Sequence, residues 1–137
     1  MRILKIVVLV LLIGLGLYVR FAPSDPTHWH AMPPEMSEDA DMEYGSMRTI
    51  EAGEDGLHRL HMIVIETRRT RVLAGSVEEG MVTYIHRSLI FGFPDYTTIR
   101  QAGTQIEIFG RLRFGRSDFG VNATRIDGWI MRLSEGG

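Results

Sequence analysis

The residues best suited to chemistry lie in the last third of the chain. Gly115-Arg116-Ser117-Asp118-Phe119-Gly120 leads into Asn122 and Arg125, and Arg111 and Arg113 stand just before it. Guanidinium forks beside a helix N-terminus suit a carboxylate or a phosphate, since both present N–H donors to an anion. Phe93-Pro94-Asp95 is the second element of this candidate anion- or partner-binding site. Its members are therefore Phe93, Pro94, Asp95, Arg111, Arg113, Arg116, Ser117, Asp118, Asn122 and Arg125. The same residue types also have an architectural use. Ser, Asp, Asn and Gly are the ordinary vocabulary of helix entry, with Ser117, Asp118 and Asn122 capping the turn and the helix and an Arg–Asp pair pinning the loop.

A second constellation is His28-Trp29-His30-Ala31-Met32, followed by Met36, Met42 and Met47. Imidazole and thioether donors in an exported segment suit Cu(I), with His28, His30, Met32 and Met36 as candidate ligands. No fixed ligand spacing appears, and the competing reading is an acidic linker in which methionines fill irregular contacts. His58 and His61 stand three apart and can meet on one helix face, but with His86 and Glu66 they make no recognised zinc pattern. Ser76, Ser88 and Ser117 lack a G-x-S-x-G setting, and neither a P-loop nor G-x-G-x-x-G occurs. The chain has no cysteine, which excludes disulfides, thiolate metal sites and a cysteine nucleophile. These absences point away from an enzyme and imply no cofactor.

Such residues need elements to position them, and charge divides the 137-residue chain into three parts. Residues 1–22 carry Arg2, Lys5 and Arg20 and no acid. Residues 23–56 carry nine acids against Arg48 alone, and residues 57–137 carry eleven arginines against eight acids. Ile6 to Val19 is an uncharged apolar run that reaches spanning length if Ile3, Leu4, Phe21 and Ala22 join it and Lys5 and Arg20 snorkel to the interfaces. Tyr18 sits where an aromatic interface anchor belongs. A cleaved signal peptide is the alternative. Arg20 occupies the outer small-residue position for a cut after Ala22, which favours a retained anchor. Either way the basic head stays inside and the domain faces out, at the periplasmic side of a bacterial inner membrane.

Four of the five prolines fall between Pro23 and Pro34, so residues 23–55 are expected to form an acidic Pro/Met-rich tether and 56–137 the globular domain. Leu57, Leu60, Ile63 and Val64 recur at helical spacing. Arg71–Val77, Met81–Ser88, Tyr96–Gln101 and Gln105–Phe114 read as strands, the last with Ile106, Ile108, Leu112 and Phe114 on one side and Arg111 and Arg113 on the other. Ile126, Trp129, Ile130 and Leu133 form the stripe of a closing helix. The expected fold is α+β in two layers: a four-stranded antiparallel sheet, two helices on one face, and a solvated face bearing Arg111 and Arg113.

The stretch Phe91-Gly92-Phe93-Pro94-Asp95, with the later Gly115-Arg116-Ser117-Asp118-Phe119-Gly120-Val121-Asn122 and Arg125, resembles the bacterial and plastid family called domain of unknown function 1499. The resemblance covers about Leu57 to Leu133. It implies a small α+β domain, often membrane-attached or exported, and no particular reaction. Anchor, tether and small domain together suggest a non-enzymatic accessory or assembly module with a protein partner in the membrane or periplasm, tethering serving to raise local concentration. An anion- or lipid-headgroup-binding module and a copper-handling tether are the alternatives. The small net charge of the domain and its export speak against nucleic acid.

Overall fold

A computed structural model describes residues 1–36 and 38–136. Helix α1 (Arg2–Phe21) is the apolar N-terminal segment, and its side chains are almost all exposed except Val19. It is long and apolar enough to cross a membrane. Ala22 ends it in an extended conformation, and Asp25 then caps the single turn α2 (Pro26–Trp29) by accepting the Thr27 amide at 2.9 Å. Pro26 fits there because an amide at the first helical position would have no intrahelical acceptor, so proline gives up no hydrogen bond.

Strands β1 (Ala40–Met42) and β2 (Gly45–Glu51) follow, then α3 (Gly56–Ile65). Next come β3 (Thr70–Ser76), β4 (Met81–Arg87), β5 (Pro94–Ala102), β6 (Gln105–Leu112) and α4 (Val121–Ser134). The strands form one antiparallel sheet in the order β1-β2-β6-β5-β4-β3. Strands β3 to β6 are a meander. Strand β2 returns beside β6, and α3 crosses the sheet to reach the far edge.

The sheet thus has six strands rather than the expected four, and the described residues add the single turn α2 to the expected N-terminal helix and the two helices on one face. The expected tether is part of the fold: β2 pairs with β6 from Gly45↔Arg111 to Glu51↔Gln105. Of its helix-facing positions Ser46 and Arg48 are polar and only Ile50 packs on the core, so the alternation of apolar side chains that marks a half-buried strand is missing. Arg48 is accommodated by Asp41 at 2.8 Å and Asp127 at 2.9 Å, which hold its charge firmly on.

One face of the sheet builds the core with α3 and α4: Val82, Tyr84, Ile99, Ile106 and Ile108 meet Leu57, Leu60, Ile63, Val64, Ile126, Trp129 and Leu133. The other face is not solvated. Residues 22–36 lie over it, with Trp29 stacked on Tyr96 at a centroid distance of 3.9 Å and Met36 buried. Gly110 allows α4 to approach β6, since a Cβ there would lie 2.8 Å from Asn122 Oδ1 and 2.9 Å from Ile126 Cδ1.

Candidate functional site

The candidate residues separate into three places. On the helix side, the start of α4 brings Asp118, Asn122 and Arg125 to Asp95 of β5. Asp118 accepts the Gly120 amide at 2.9 Å and the Asn122 amide at 3.1 Å, so Asp118 is the capping side chain and Asn122 is not the cap expected of it. Ser117 accepts the Phe119 amide at 3.1 Å, and Phe119 takes a positive φ of 52° to make the turn. Asn122, fully buried, donates to Asp118 at 2.9 Å and Asp95 at 3.3 Å and accepts from Arg125 at 3.0 Å.

Arg125 lies 3.7 Å from the Asp95 carboxylate. Burial nonetheless pushes the Asp95 carboxyl up to about 6, with Arg125 opposing and Asp118 reinforcing. The Arg125 guanidinium is likewise lowered by burial. Both partners lose more by desolvation than the pair returns, as expected of buried ions. Beside them His86 bridges Thr70 and Thr97 at 2.8 Å each, and burial keeps its imidazole well below the usual range and hence neutral. Asp95, Asp118, Asn122 and His86 are thus all engaged with neighbouring groups of the fold.

On the opposite face Arg111 and Arg113 bind the N-terminal segment, correcting the expectation of an outward arginine face. Arg111 is buried, donates to the Trp29 carbonyl, to Thr98 Oγ1 at 2.8 Å and to the Phe109 carbonyl at 3.1 Å, and covers the Phe109 ring. Burial lowers its guanidinium to about 10. A hydrogen-bonded chain runs on from Thr98 to Thr83 and to His30 Nδ1, each link 2.8 Å. Arg113 reaches the Pro23 carbonyl at 2.9 Å and Tyr96 Oη at 3.1 Å, and Ser24 bonds Tyr96 Oη at 2.6 Å. Arg116 stands apart, its side chain 93% exposed and 3.9 Å from Glu43. The three arginines therefore do not form one cluster.

The proposed copper donors are dispersed as well. His30 bonds Thr83, the His28 ring meets Trp29 edge-on at 4.8 Å, Met36 is buried and Met32 is half-buried. Among the described residues no group of three or more His, Cys, Asp or Glu side chains is placed to hold a metal. His61 bonds Tyr84 Oη at 2.7 Å, and burial followed by the neighbouring His58 lowers its imidazole.

A third place, which the sequence reading passed over, lies where α1 meets the sheet. The pairings Arg87↔Pro94 and Asp95↔Leu112 put the end of β4, the start of β5 and the end of β6 at one edge of the molecule. The α1 C-terminus touches this edge: Arg20 lies against Gly92, and Tyr18 meets Phe114 edge-on at 6.1 Å. Pro94 opens β5 here, buried, while Phe93 is exposed and packs on Phe91 at 5.8 Å. A cleft of about 390 Å³ at this edge is lined by Arg20, Arg69, Arg71 and Arg87 with Ile85 and Leu89. Among the described residues none of these four arginines makes an ion pair. The available signal was Arg68-Arg69-x-Arg71, a basic run with no acid between Thr67 and Val77.

The molecule is thus an α+β domain with a six-stranded antiparallel sheet, carried on an N-terminal apolar helix. The family model described as "Protein of unknown function (DUF1499)" matches residues 24–133, and the chain belongs to that family. The match begins at Ser24, so it includes α2, β1 and β2 as well as the later domain. Comparison with curated proteins and with solved structures gives no match.

Proposed function

We propose that the chain is a single-pass protein of a bacterial inner membrane, a non-enzymatic accessory module whose domain is held against the periplasmic surface. The carrying observation is the absence of slack between anchor and domain. Val19 and Ala22 are buried, Tyr18 packs on Phe114, and Pro23 and Ser24 are already bonded to Arg113 and Tyr96. A signal peptide destined for removal has no use for such packing, so these contacts favour retention of α1. Two positive side chains precede the apolar run and Arg20 follows it, which favours an internal N-terminus.

The non-enzymatic reading draws on the Asp95 cluster. Its acids, amide and guanidinium are engaged with one another and with the backbone of the α4 entry, which is what a pinned helix requires. An accessory role follows from position: a rigid domain at the membrane surface meets partners embedded in the same bilayer. Affinity isolation of the full chain from detergent-solubilised membranes tests this. A stoichiometric membrane-protein complex is the expected result, and recovery of the chain alone under mild detergent contradicts the accessory role.

A further inference from the structure

The arginine-lined cleft beside α1 combines four features. First, Arg20, Arg69, Arg71 and Arg87 converge there without an acidic partner. Their side-chain hydrogen bonds among the described residues are limited to Arg69 Nε on the Arg87 carbonyl and Arg87 on the Gly92 carbonyl, each 3.0 Å. Most of their N–H donors are therefore uncommitted. Second, Arg87 is lowered by burial and by the like charges of Arg71, Arg20 and Arg113, so the cluster repels itself in the unliganded protein.

Third, the loop beside the cleft projects Leu89, Ile90 and Phe91, which are 74%, 80% and 60% exposed. The loop is held from within by Ser88, whose Oγ accepts the Phe93 amide and whose carbonyl accepts the Gly92 amide. Three consecutive large apolar side chains on a fixed loop are an interaction surface and not a scatter of surface residues. Fourth, the opposite end of the sheet is acidic: Glu51, Glu54, Asp55, Glu78 and Glu79 lie at or beside the β2, α3 and β3–β4 ends farthest from α1. Arginines at that far end are neutralised locally, Arg59 by Asp55 and Arg100 by Glu107, whereas the four cleft arginines beside the spanning helix have no such partner among the described residues.

We infer that this cleft binds the phosphate of an anionic phospholipid, with Leu89, Ile90 and Phe91 seated in the same leaflet. Guanidinium forks match phosphate oxygens in geometry and charge, and an anionic leaflet attracts basic residues held within a Debye length of it. Apolar side chains beside those cations add burial at the headgroup–acyl boundary. The inference rests on the reading of α1 as a retained anchor, which sets the cleft at lipid-headgroup depth. The ligand is the lipid and not free phosphate, because acyl chains bury the exposed apolar loop beside the cleft and free phosphate leaves it in water.

The test is native mass spectrometry of the full chain in neutral detergent, offered phosphatidylglycerol, phosphatidylcholine, glycerol 3-phosphate and inorganic phosphate. The chain should retain phosphatidylglycerol in preference to phosphatidylcholine. Arg20→Gln and Arg71→Gln should each lower its occupancy about fivefold, while Arg100→Gln, whose arginine pairs with Glu107 at the other end, should not. Melting curves of the same samples identify any variant that has lost its fold, and the two arginines lie on different elements so that one remains informative. Equal retention of both lipids overturns the proposal. So do unchanged occupancy in the folded variants, displacement of lipid by glycerol phosphate or phosphate at equal concentration, and a co-purifying protein that replaces lipid and is lost in Arg71→Gln. High-salt fractionation of the same variants reads the anchor separately: chains that stay in the membrane yet bind no lipid refute the cleft alone.

Discussion

Replacing Asp95 by asparagine separates an architectural role for the α4 entry from a ligand-binding one. The Asp95 side chain is 17% exposed, and burial raises its carboxyl from 3.8 to about 6 in the fold. The native state therefore holds a proton that the unfolded chain releases across that interval. The sign follows from linkage: this group's contribution is fully present below pH 3.8 and is lost as pH rises through 6, by about 3 kcal/mol in all. Asparagine keeps an acceptor oxygen for Asn122 and Arg125 but cannot ionise. The variant's stability curve should therefore be flatter than the wild type's between pH 4 and 6, leaving Asp95→Asn as stable as wild type or more so at pH 7.5. Thermal melts of the detergent-solubilised chain, followed by near-ultraviolet circular dichroism at half-unit pH steps, measure this. Comparison with wild type cancels the opposing contribution of neutral His86, which is lost as pH falls below 6.5. Parallel curves for the two proteins would refute the reasoning, as would a variant clearly less stable at pH 7.5.

Asp118→Ala removes the acceptor of two backbone amides and of the Asn122 side chain, and should cost about 1–3 kcal/mol in the same melts. Arg116→Ala should leave melting unchanged. Gly110→Ala drives a methyl group into Asn122 and Ile126 and should cost about 1–3 kcal/mol, with a loss of near-ultraviolet signal from Trp129. The segment from Pro23 to Met47 should resist limited proteolysis in the wild type, because it is built onto the sheet. Trp29→Ala, which removes the ring stacked on Tyr96, should open that segment to cleavage while the rest of the domain stays resistant.

Elements whose apolar residues keep a regular period were readable in advance. The 3.6-residue stripes of α3 and α4, the alternation of β6 and the turn-bounded runs of β3 to β5 match the observed spans within a few residues. Strand β2 was hidden because two of its core-side positions, Ser46 and Arg48, are polar and only Ile50 is apolar, and Arg48 is held there by Asp41 of the neighbouring strand and Asp127 of α4. Prolines at 33 and 34 and the surrounding acids suggested a tether, yet proline-bounded coil can lie flat on a sheet when a tryptophan and a buried arginine hold it there. Local pattern also misread Arg111 and Arg113: alternation correctly placed them on the face away from α3 and α4, but could not show that the chain's own N-terminal segment covers that face. The Asp95–Asn122 meeting was legible as two halves of one motif. The cleft at α1 was not, since its arginines come from separate elements and become neighbours only through the sheet register.

The most direct test of the account uses the absence of cysteine from the chain. Single cysteines placed at Thr104, in the exposed β5–β6 turn, and at Ile90, in the apolar loop by α1, are offered to a membrane-impermeant maleimide on intact spheroplasts. The predicted result is rapid labelling of Thr104→Cys and protection of Ile90→Cys until detergent removes the bilayer. Labelling of Thr104→Cys only after the membrane is opened, or equal labelling of both positions beforehand, would contradict a domain held face-down on the periplasmic surface.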